Sequence, residues 1–429
     1  MITMHTYPHW FVLLILIAVI GGGGLVLTVP ALPTQNALTG ISGEAASLFT
    51  AGSLSDTSTL VTTATFENGT RYEKNGLAIV ELHGNYREMG RQYGALYKKE
   101  LAEIDTTIRT DYVKAPGITV AGMQKQGEAT FNAYPQRYKE VMYGMAETSG
   151  IPLEDIKMIN INEIEIPLVA SGWTGCSGIA AWGQYTSDGK TIFGRNYDYS
   201  MVMTNYTAVT VWNPDDGSIP VASVGYVGLV YLTTGLNKDK QFLELNMGAN
   251  SGGSFRRADR AIGALALLEV LQDASTPDQV GLRLNSMNTD TAYVINTASP
   301  QGGVPYEWST WTLKKRAPDR DGLLVGTNHF VDPSWGLNAP EAGSLADSMN
   351  GNSVWRRQNL LAFADKNKGS ITVDKMKEVI STPLEKGGVF LEPDITSYQV
   401  VAVPEDLRIW VRVPQRLDWT EVDLKPLFG

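Results

Sequence analysis

The stretch Gly175-Cys176-Ser177-Gly178-Ile179-Ala180-Ala181-Trp182, followed by Gly194-Arg195-Asn196-Tyr197-Asp198, governs the interpretation of this 429-residue chain. It holds the only cysteine of the sequence. A single thiol forms no intrachain disulfide and no thiolate metal cluster, so Cys176 is either an inert buried residue or a nucleophile. Free cysteines are usually buried and inert, and the surrounding residues therefore decide between the two interpretations.

A cysteine nucleophile needs a base that takes its proton. The chain offers four histidines, His5, His9, His83 and His329. The first two lie in or beside an apolar N-terminal segment, which leaves the other two to pair with the thiol. The alternative base is the α-amino group of Cys176 itself, freed by cleavage of the Gly175–Cys176 bond, because an amine with a pKa of about 7.7–8.0 accepts a proton near neutral pH. Glycine before the cysteine suits this alternative, because it lets backbone approach backbone where the thiol attacks the adjacent peptide.

The block from Cys176 to Asp198 resembles the mature start of the N-terminal-nucleophile hydrolases of the choloylglycine hydrolase and penicillin acyltransferase group. That group includes bile-salt hydrolases, penicillin V acylase, acid ceramidase-like amidases and carcinine hydrolase-like proteins. Residues 80–94, with Val80-Glu81-Leu82-His83-Gly84, resemble the opening of the acyltransferase pro-segment, and residues 150–163 resemble its end. The similarity runs from about Leu77 to the C-terminus and is most specific between Cys176 and Asp198.

The resemblance implies an α+β fold, the four-layer αββα sandwich of this superfamily, preceded by a mostly helical pro-segment. On this basis we expect four regions. They are a signal-anchor or signal peptide (1–32), a Ser/Thr-rich linker (33–66), a helical pro-segment that becomes the small subunit after cleavage (67–175) and a catalytic domain (176–429). The apolar run 11–29 is long enough to span a bilayer and has no convincing cleavage motif, which favours a retained anchor with the enzyme outside the cytoplasm over a secreted protein.

Hydrophobic periodicity predicts a strand and helices in the pro-segment and a β-rich texture after Cys176. The predicted helices are 86–108, 123–149, 153–159, 257–271, 353–364 and 373–380. The predicted strands are 77–82, 177–182, 191–195, 207–212, 221–232, 242–246, 292–296, 323–327, 399–403 and 408–413. Two sheets covered by helices are the physical expectation for this alternation.

Two charged residues of the block from Cys176 to Asp198 have expected roles at the thiol. We expect the Asp198 carboxylate to face the new amino group and the Arg195 guanidinium to lie beside the sulfur, where its charge favours the thiolate. Without the cysteine nearby, the same residues would be interpreted as a surface ion pair at a turn, which contributes little.

Three further site residues follow from the resemblance. Asn328, in Thr327-Asn328-His329, resembles the asparagine whose amide faces the tetrahedral intermediate, and Asn246 resembles a second asparagine of the bile-salt hydrolase branch. Arg356 resembles a late arginine of the family, although its neighbour Arg357 fits the pattern almost as well. We interpret His329 as structural or substrate-facing, because a self-supplied amine makes a histidine base unnecessary.

The net charge of −10 and the pI near 5.1 argue against nucleic-acid binding. One cysteine and scattered histidines make no metal site, and no cofactor is implied. The resulting hypothesis is an autoproteolytically matured amidohydrolase that cleaves a linear amide of a small acyl-amide substrate through an acyl-cysteine intermediate, with its pro-segment retained. One alternative is an acyltransferase that passes the acyl group to an amine. Another is an uncut, non-enzymatic cell-surface module.

Overall fold

The computed structural model of this chain describes residues 59–114, 117–165, 175–199, 201–248, 251, 257, 260–344, 346–347, 352–391 and 395–429. The apolar run 11–29 and most of the predicted linker lie outside these residues, so the anchor stays a prediction. Within the described ranges, no helix combines the length and apolar character needed to cross a bilayer.

The described residues form two β-sheets with helices on their outer faces. The strands are β1 (Val61–Phe66), β2 (Gly69–Lys74), β3 (Leu77–Gly84), β4 (Gly175–Ala181), β5 (Ile192–Asp198), β6 (Thr207–Pro214), β7 (Val221–Tyr226), β8 (Thr234–Asn237), β9 (Phe242–Met247), β10 (Tyr293–Ser299), β11 (Gly302–Trp308), β12 (Leu313–Lys315), β13 (Leu323–Gly326), β14 (Thr396–Val403), β15 (Arg408–Val413) and β16 (Leu417–Asp423). The helices are α1 (Tyr86–Leu96), α2 (Lys98–Thr110), α3 (Val120–Ala133), α4 (Gln136–Ser149), α5 (Leu153–Glu165), α6 (Leu267–Asp273), α7 (Pro277–Asn285), α8 (Ser353–Lys366) and α9 (Val373–Ser381).

The large sheet has the strand order β1-β2-β3-β6-β7-β8-β9-β10-β11-β12, and the small sheet has the order β13-β4-β5-β14-β15-β16. The sheets face each other where β4 meets β9 and β11. Helices α8 and α9 cover the small sheet through a separate apolar cluster that includes Ile179, Leu360 and Met376. Helices α1, α6 and α7 lie against the large sheet. The predicted α+β class and its four layers are therefore confirmed.

The described region before Cys176 is not only helical, because strands β1, β2 and β3 precede its helices and belong to the large sheet. Strand β3 pairs in parallel with β6, from Ala78 opposite Ala208 to Gly84 opposite Pro214. The linker predicted to reach residue 66 ends earlier, since β1 begins at Val61 and pairs with β2. Its Val and Thr residues favour a strand once a pairing partner exists.

Other predicted boundaries also shift for physical reasons. The helix expected over 86–108 is two helices, because the chain turns at Tyr97, whose ring is fully buried and packs against Tyr93. The helix expected from 257 begins at Leu267, after a 3₁₀ turn over 263–266 in which the Gly263 N–H donates to Asp290 Oδ1 (3.0 Å). The strand expected over 221–232 ends at Tyr226, just before a turn that contains Gly228 at φ +97°.

The loop after β7 is held by the pro-segment. The Gly228 N–H donates to the Tyr93 hydroxyl (2.7 Å). The Asn160 amide donates to Gly228 O (2.9 Å), and its Oδ1 accepts the Val230 N–H (2.8 Å). Asn160 is buried, so these backbone groups depend on it instead of on water.

We predict that Asn160→Ala lowers the free energy of unfolding by about 2–4 kcal/mol, because it leaves a buried N–H and a buried carbonyl without partners. Urea denaturation followed by tryptophan fluorescence measures the change. Asn132→Ala, at an exposed site, is the matched control and should stay within about 0.5 kcal/mol of the wild type. A variant at position 160 as stable as that control would contradict the prediction.

Candidate active site

The hairpin of β4 and β5 sorts the predicted site residues onto two faces. Cys176 lies opposite Tyr197, and Gly175 lies opposite Asp198. Side chains alternate along a strand, so Cys176, Tyr197 and Arg195 share the face that meets the large sheet, while Asp198 shares the opposite face with Ser177. The thiol therefore lies between the two sheets.

Cys176 is buried, with 5% of its surface exposed. Its backbone N–H donates to Asn328 Oδ1 (2.9 Å), and Arg195 Nη2 lies 3.9 Å from Sγ. Burial raises the pKa of the thiol to about 12, against the opposing effect of the Arg195 charge. In this uncut chain the thiol is protonated at neutral pH.

Arg356 connects Asn328 with the nucleophile strand from the helical side. Its Nη2 donates to Asn328 Oδ1 (2.6 Å), and its Nη1 donates to Ser177 Oγ (2.7 Å) and to Cys176 O. Arg357 instead forms an ion pair with Asp319. The ambiguity between the two arginines is resolved in geometry, because Arg356 is the one that contacts Cys176.

Asp198 lies beside the bond that we expect to be cut. Its Oδ1 accepts a hydrogen bond from Thr396 Oγ1 (2.6 Å), whereas its buried Oδ2 has no hydrogen-bond partner among the described residues. A Cβ built on Gly175 would lie 3.1 Å from that Oδ2. Burial raises the pKa of Asp198, and the Arg356 charge opposes this. A glycine at position 175 thus leaves room for the carboxylate against the backbone.

Asn246 contacts Arg195, and both atoms of its side-chain amide are engaged in hydrogen bonds. Its Oδ1 accepts from Arg195 Nη1 (3.1 Å), and its Nδ2 donates to Glu244 Oε1 (3.0 Å) and Gly326 O (3.4 Å). Asn328 Nδ2 donates to Met247 O (2.8 Å). One N–H of Asn328 therefore has no acceptor in the described structure, while both N–H groups of Asn246 are used.

Sequence reasoning missed Glu244, which forms a fully buried ion pair with Arg195. A signal was present, because Leu243-Glu244-Leu245-Asn246 places an acidic side chain in the middle of a strand that is otherwise apolar or amide-bearing. A charged residue almost never lies fully buried without a partner, so a glutamate in a buried strand predicts a cation beside it.

The two described histidines do not pair with the thiol. His329 is buried, with Nδ1 2.7 Å from Ser353 Oγ, and the same hydroxyl accepts the Asn328 N–H (2.8 Å). Burial, together with the charges of Arg357 and Arg356, lowers the pKa of His329 to about 4. His83 bonds to Glu81 (2.7 Å). His329 therefore supports the backbone of Asn328, in agreement with its structural interpretation.

Aromatic rings fill the space next to the nucleophile. Tyr197 stacks on Tyr398 with 4.7 Å between ring centroids and meets Tyr226 edge-on at 6.3 Å. The Arg195 guanidinium lies 5.2 Å from the centre of the Tyr197 ring. These contacts add a cation–π attraction that helps to fix Arg195. Among the described residues, no cluster of three or more His, Cys, Asp or Glu side chains could hold a metal ion.

Comparison with known sequences finds no matching family model. An uncharacterized protein of Archaeoglobus fulgidus is 22% identical over 411 residues, which cover 83% of this chain and 64% of that protein. Protein dcd1B of Dictyostelium discoideum is 23% identical over 181 residues, 36% of this chain and 35% of that protein. The chain therefore spans less than two thirds of the length of either relative.

Three solved structures are similar to parts of this chain. The Caenorhabditis elegans ortholog of N-acylethanolamine-hydrolyzing acid amidase is 18% identical, with a TM-score of 0.39, and the match covers 53% of this chain and 93% of that one. A mutant conjugated bile acid hydrolase from Clostridium perfringens is 16% identical, with a TM-score of 0.41 and coverage of 59% and 94%. Penicillin V acylase from Agrobacterium tumefaciens is 11% identical, with a TM-score of 0.42 and coverage of 59% and 88%.

We predict that His329 makes the protein less stable as the pH falls from about 6.5 to about 4. Its pKa is lowered in the folded chain, so between these values the unfolded chain binds the proton and the folded chain does not, and the stabilisation that is complete above pH 6.5 is lost on acidification. His329→Gln should therefore flatten the plot of melting temperature against pH in this window. Above pH 7 the curves of variant and wild type should run parallel. Equal slopes between pH 4 and 6.5 would contradict the assignment.

Proposed function

We propose that this protein is a cysteine amidohydrolase that matures by cleavage between Gly175 and Cys176 and hydrolyses a linear amide through an acyl-cysteine intermediate. One arrangement carries the proposal. The only thiol of the chain has Arg195 at its sulfur, Asn328 at its backbone N–H, and an unpartnered oxygen of Asp198 beside the preceding residue.

Maturation would begin with attack of Cys176 Sγ on the Gly175 carbonyl carbon. The carbon–nitrogen bond breaks as the carbon–sulfur bond forms, and the thiol proton ends on the departing nitrogen, which becomes the α-amino group of Cys176. Water then hydrolyses the thioester, which leaves the Gly175 carboxylate and a free thiol. The step needs no base from outside the site, because the thiol proton passes to the departing nitrogen.

Turnover would use the new amine as the base. It accepts the thiol proton, Sγ attacks the substrate carbonyl, and the departing amine receives the proton. Asn328 Oδ1 and the Asp198 carboxylate hold the amine, while Arg195 stabilises the developing thiolate. Asn328 is the preferred oxyanion donor because one of its N–H groups has no acceptor, and Asn246 ranks second because both of its N–H groups are engaged.

The two fragments should remain together after the cut. The pro-segment contributes three strands to the large sheet, and β3 pairs with β6 of the later chain. Across the same boundary, Arg137 forms ion pairs with Glu269 and Asp273. Breaking one peptide bond removes none of these contacts or the apolar surface that they enclose.

We predict that purified wild-type protein consists of two fragments, one of which begins at Cys176, and that it hydrolyses acyl amides. Cys176→Ala should stay a single chain and be inactive, because neither the nucleophile nor the freed amine exists. Intact mass measurement and N-terminal sequencing give the answer. Ser187→Ala, in the turn after β4, is the matched control and should be cut like the wild type.

A wild-type protein that remains one chain and still hydrolyses amides would contradict the self-supplied amine. A wild-type protein that remains one chain and hydrolyses nothing would favour the non-enzymatic module instead.

The transferase alternative differs only in the group that accepts the acyl chain. We predict that incubation with an acyl amide and a large excess of a second free amine yields mainly the free acid. We expect this because water would reach the acyl-cysteine thioester and hydrolyse it. Mass spectrometry of the products measures the ratio of acid to new amide. A predominance of the new amide would make the protein an acyltransferase.

A further inference from the structure

Below the thiol, four polar side chains replace the apolar contacts expected between two facing sheets. Arg195 of β5, Glu244 and Asn246 of β9, and Asn296 of β10 are all fully buried. Glu244 and Asn296 are direct cross-strand neighbours. Arg195 Nη2 links this group to Cys176, 3.9 Å from Sγ.

Every partner of the Glu244 carboxylate is a hydrogen-bond donor. Arg195 Nη1 donates to Oε2, while Asn246 Nδ2 (3.0 Å) and Asn296 Nδ2 (2.6 Å) donate to Oε1. An ionised carboxylate accepts on both oxygens, whereas a protonated one carries an O–H donor on one of them. A glutamine, or a protonated carboxyl group, would set one N–H or O–H against another donor. The cluster is thus built around a negative charge.

Two glycines of the small sheet leave room for this charged side chain and its neighbour. A Cβ built on Gly178 would lie 1.8 Å from Glu244 Oε1, and one on Gly326 would lie 2.1 Å from Asn296 Nδ2. The facing strands β4 and β13 therefore carry glycine at the two positions that the Glu244 carboxylate and the Asn296 amide approach. A buried ion pair is often no more stabilising than an apolar contact of equal volume, so stability alone does not account for the arrangement.

We propose that Glu244 is a positioning residue that neutralises Arg195 and thereby keeps Cys176 a neutral thiol until its own α-amine accepts the proton. The part about the amine rests on the proposed function, while the charge balance at the thiol does not. Arg195 alone, next to Sγ, would favour a thiolate inside the uncut chain. The opposite charge of Glu244 offsets part of that attraction, so the thiol stays neutral until the α-amine takes its proton, and Arg195 can then stabilise the thiolate.

The other charged groups around the thiol are consistent with this balance. Asp198 of β5 and Arg356 of α8 lie on the other face of the β4–β5 hairpin, and their opposite charges attract each other. With a neutral thiol, two arginines and two carboxylates sum to zero. Burial is the main cause that raises the pKa of Cys176, and the charges of Asp198 and Glu244 add to it. Removing the charge of Glu244 leaves a net positive site and should therefore lower this pKa.

The test is the rate of alkylation of Cys176 by iodoacetamide. Cys176 is the only cysteine, so the intact mass reports this thiol alone. We predict that Glu244→Gln reacts about three- to fivefold faster at pH 8. A fall of about one pH unit in the thiol pKa raises the thiolate fraction about tenfold, and the lower nucleophilicity of a less basic thiolate offsets part of this. Arg195 should stay in place because Leu245 O (2.9 Å) and Asn246 Oδ1 still accept from it.

A second variant separates charge from loosened packing. Glu244→Gln combined with Asn296→Asp returns a carboxylate to the cluster, so its alkylation rate should fall back to within about twofold of the wild type. Asp273→Asn removes a carboxylate that pairs with Arg137 and Arg283, and it should leave the rate unchanged. If the single variant fails to fold, the double variant still tests the proposal, because a rate more than about twofold above that of the wild type would overturn it.

An unchanged or slower reaction in Glu244→Gln would overturn the proposal, as would a double variant that stays fast. These rates are compared between chains in the same state, cut or uncut, as established by mass. They require no amide substrate. Failure of the amidase proposal would therefore appear as absent turnover with the same alkylation pattern.

Discussion

The buried ion pair between Arg195 and Glu244 is the constraint on which the site depends. Two charges taken out of water destabilise a fold unless they are paired and hydrogen-bonded. That requirement explains the amides of Asn246 and Asn296, the glycines of the facing strands, and the position of the guanidinium next to Sγ. Under the proposed role of Glu244, the balance of this pair sets the reactivity of the thiol. Strand β5 of the small sheet and strands β9 and β10 of the large sheet hold the pair in place.

The pro-segment and the later chain are one folding unit although a cut is expected between them. Strand β3 pairs with β6 along its whole length, and Asn160 supplies hydrogen bonds to the loop after β7. A parallel pairing between distant segments forms only when both are present, because loop closure must precede the contacts that reward it. An early cut would separate these partners, so under the proposed function folding would come before maturation.

The part of the site that is local in sequence was predictable. Cys176, Arg195 and Asp198 lie on one hairpin, and the pairing of adjacent strands brings them together as the sequence suggests. Asn328 and Arg356 were found only through resemblance, since nothing near them indicates that their side chains meet.

Glu244 was not predicted because its partner lies on the other sheet. Alternation along a strand indicates which side chains are buried, but not which residues of the facing sheet they contact. Strands β1 and β2 were not predicted for a related reason, whereas β3 was expected over 77–82. Val61–Phe66 are almost wholly exposed, so no apolar pattern marks them, and the pairing with β2 makes them a strand. Hydrophobic periodicity likewise does not predict helix and strand boundaries that are set by a single buried ring or glycine, as at Tyr97.

The lone oxygen of Asp198 gives the proposed cut a direction. In the uncut chain this acceptor is buried beside Gly175 with no donor among the described residues, and such an unmet group raises the free energy of a folded state by about 1–3 kcal/mol. A newly formed ammonium group at Cys176 would supply the missing donor and a compensating charge. Under the proposed function, resealing the peptide would remove this donor again, so the cleaved chain would be favoured over its precursor.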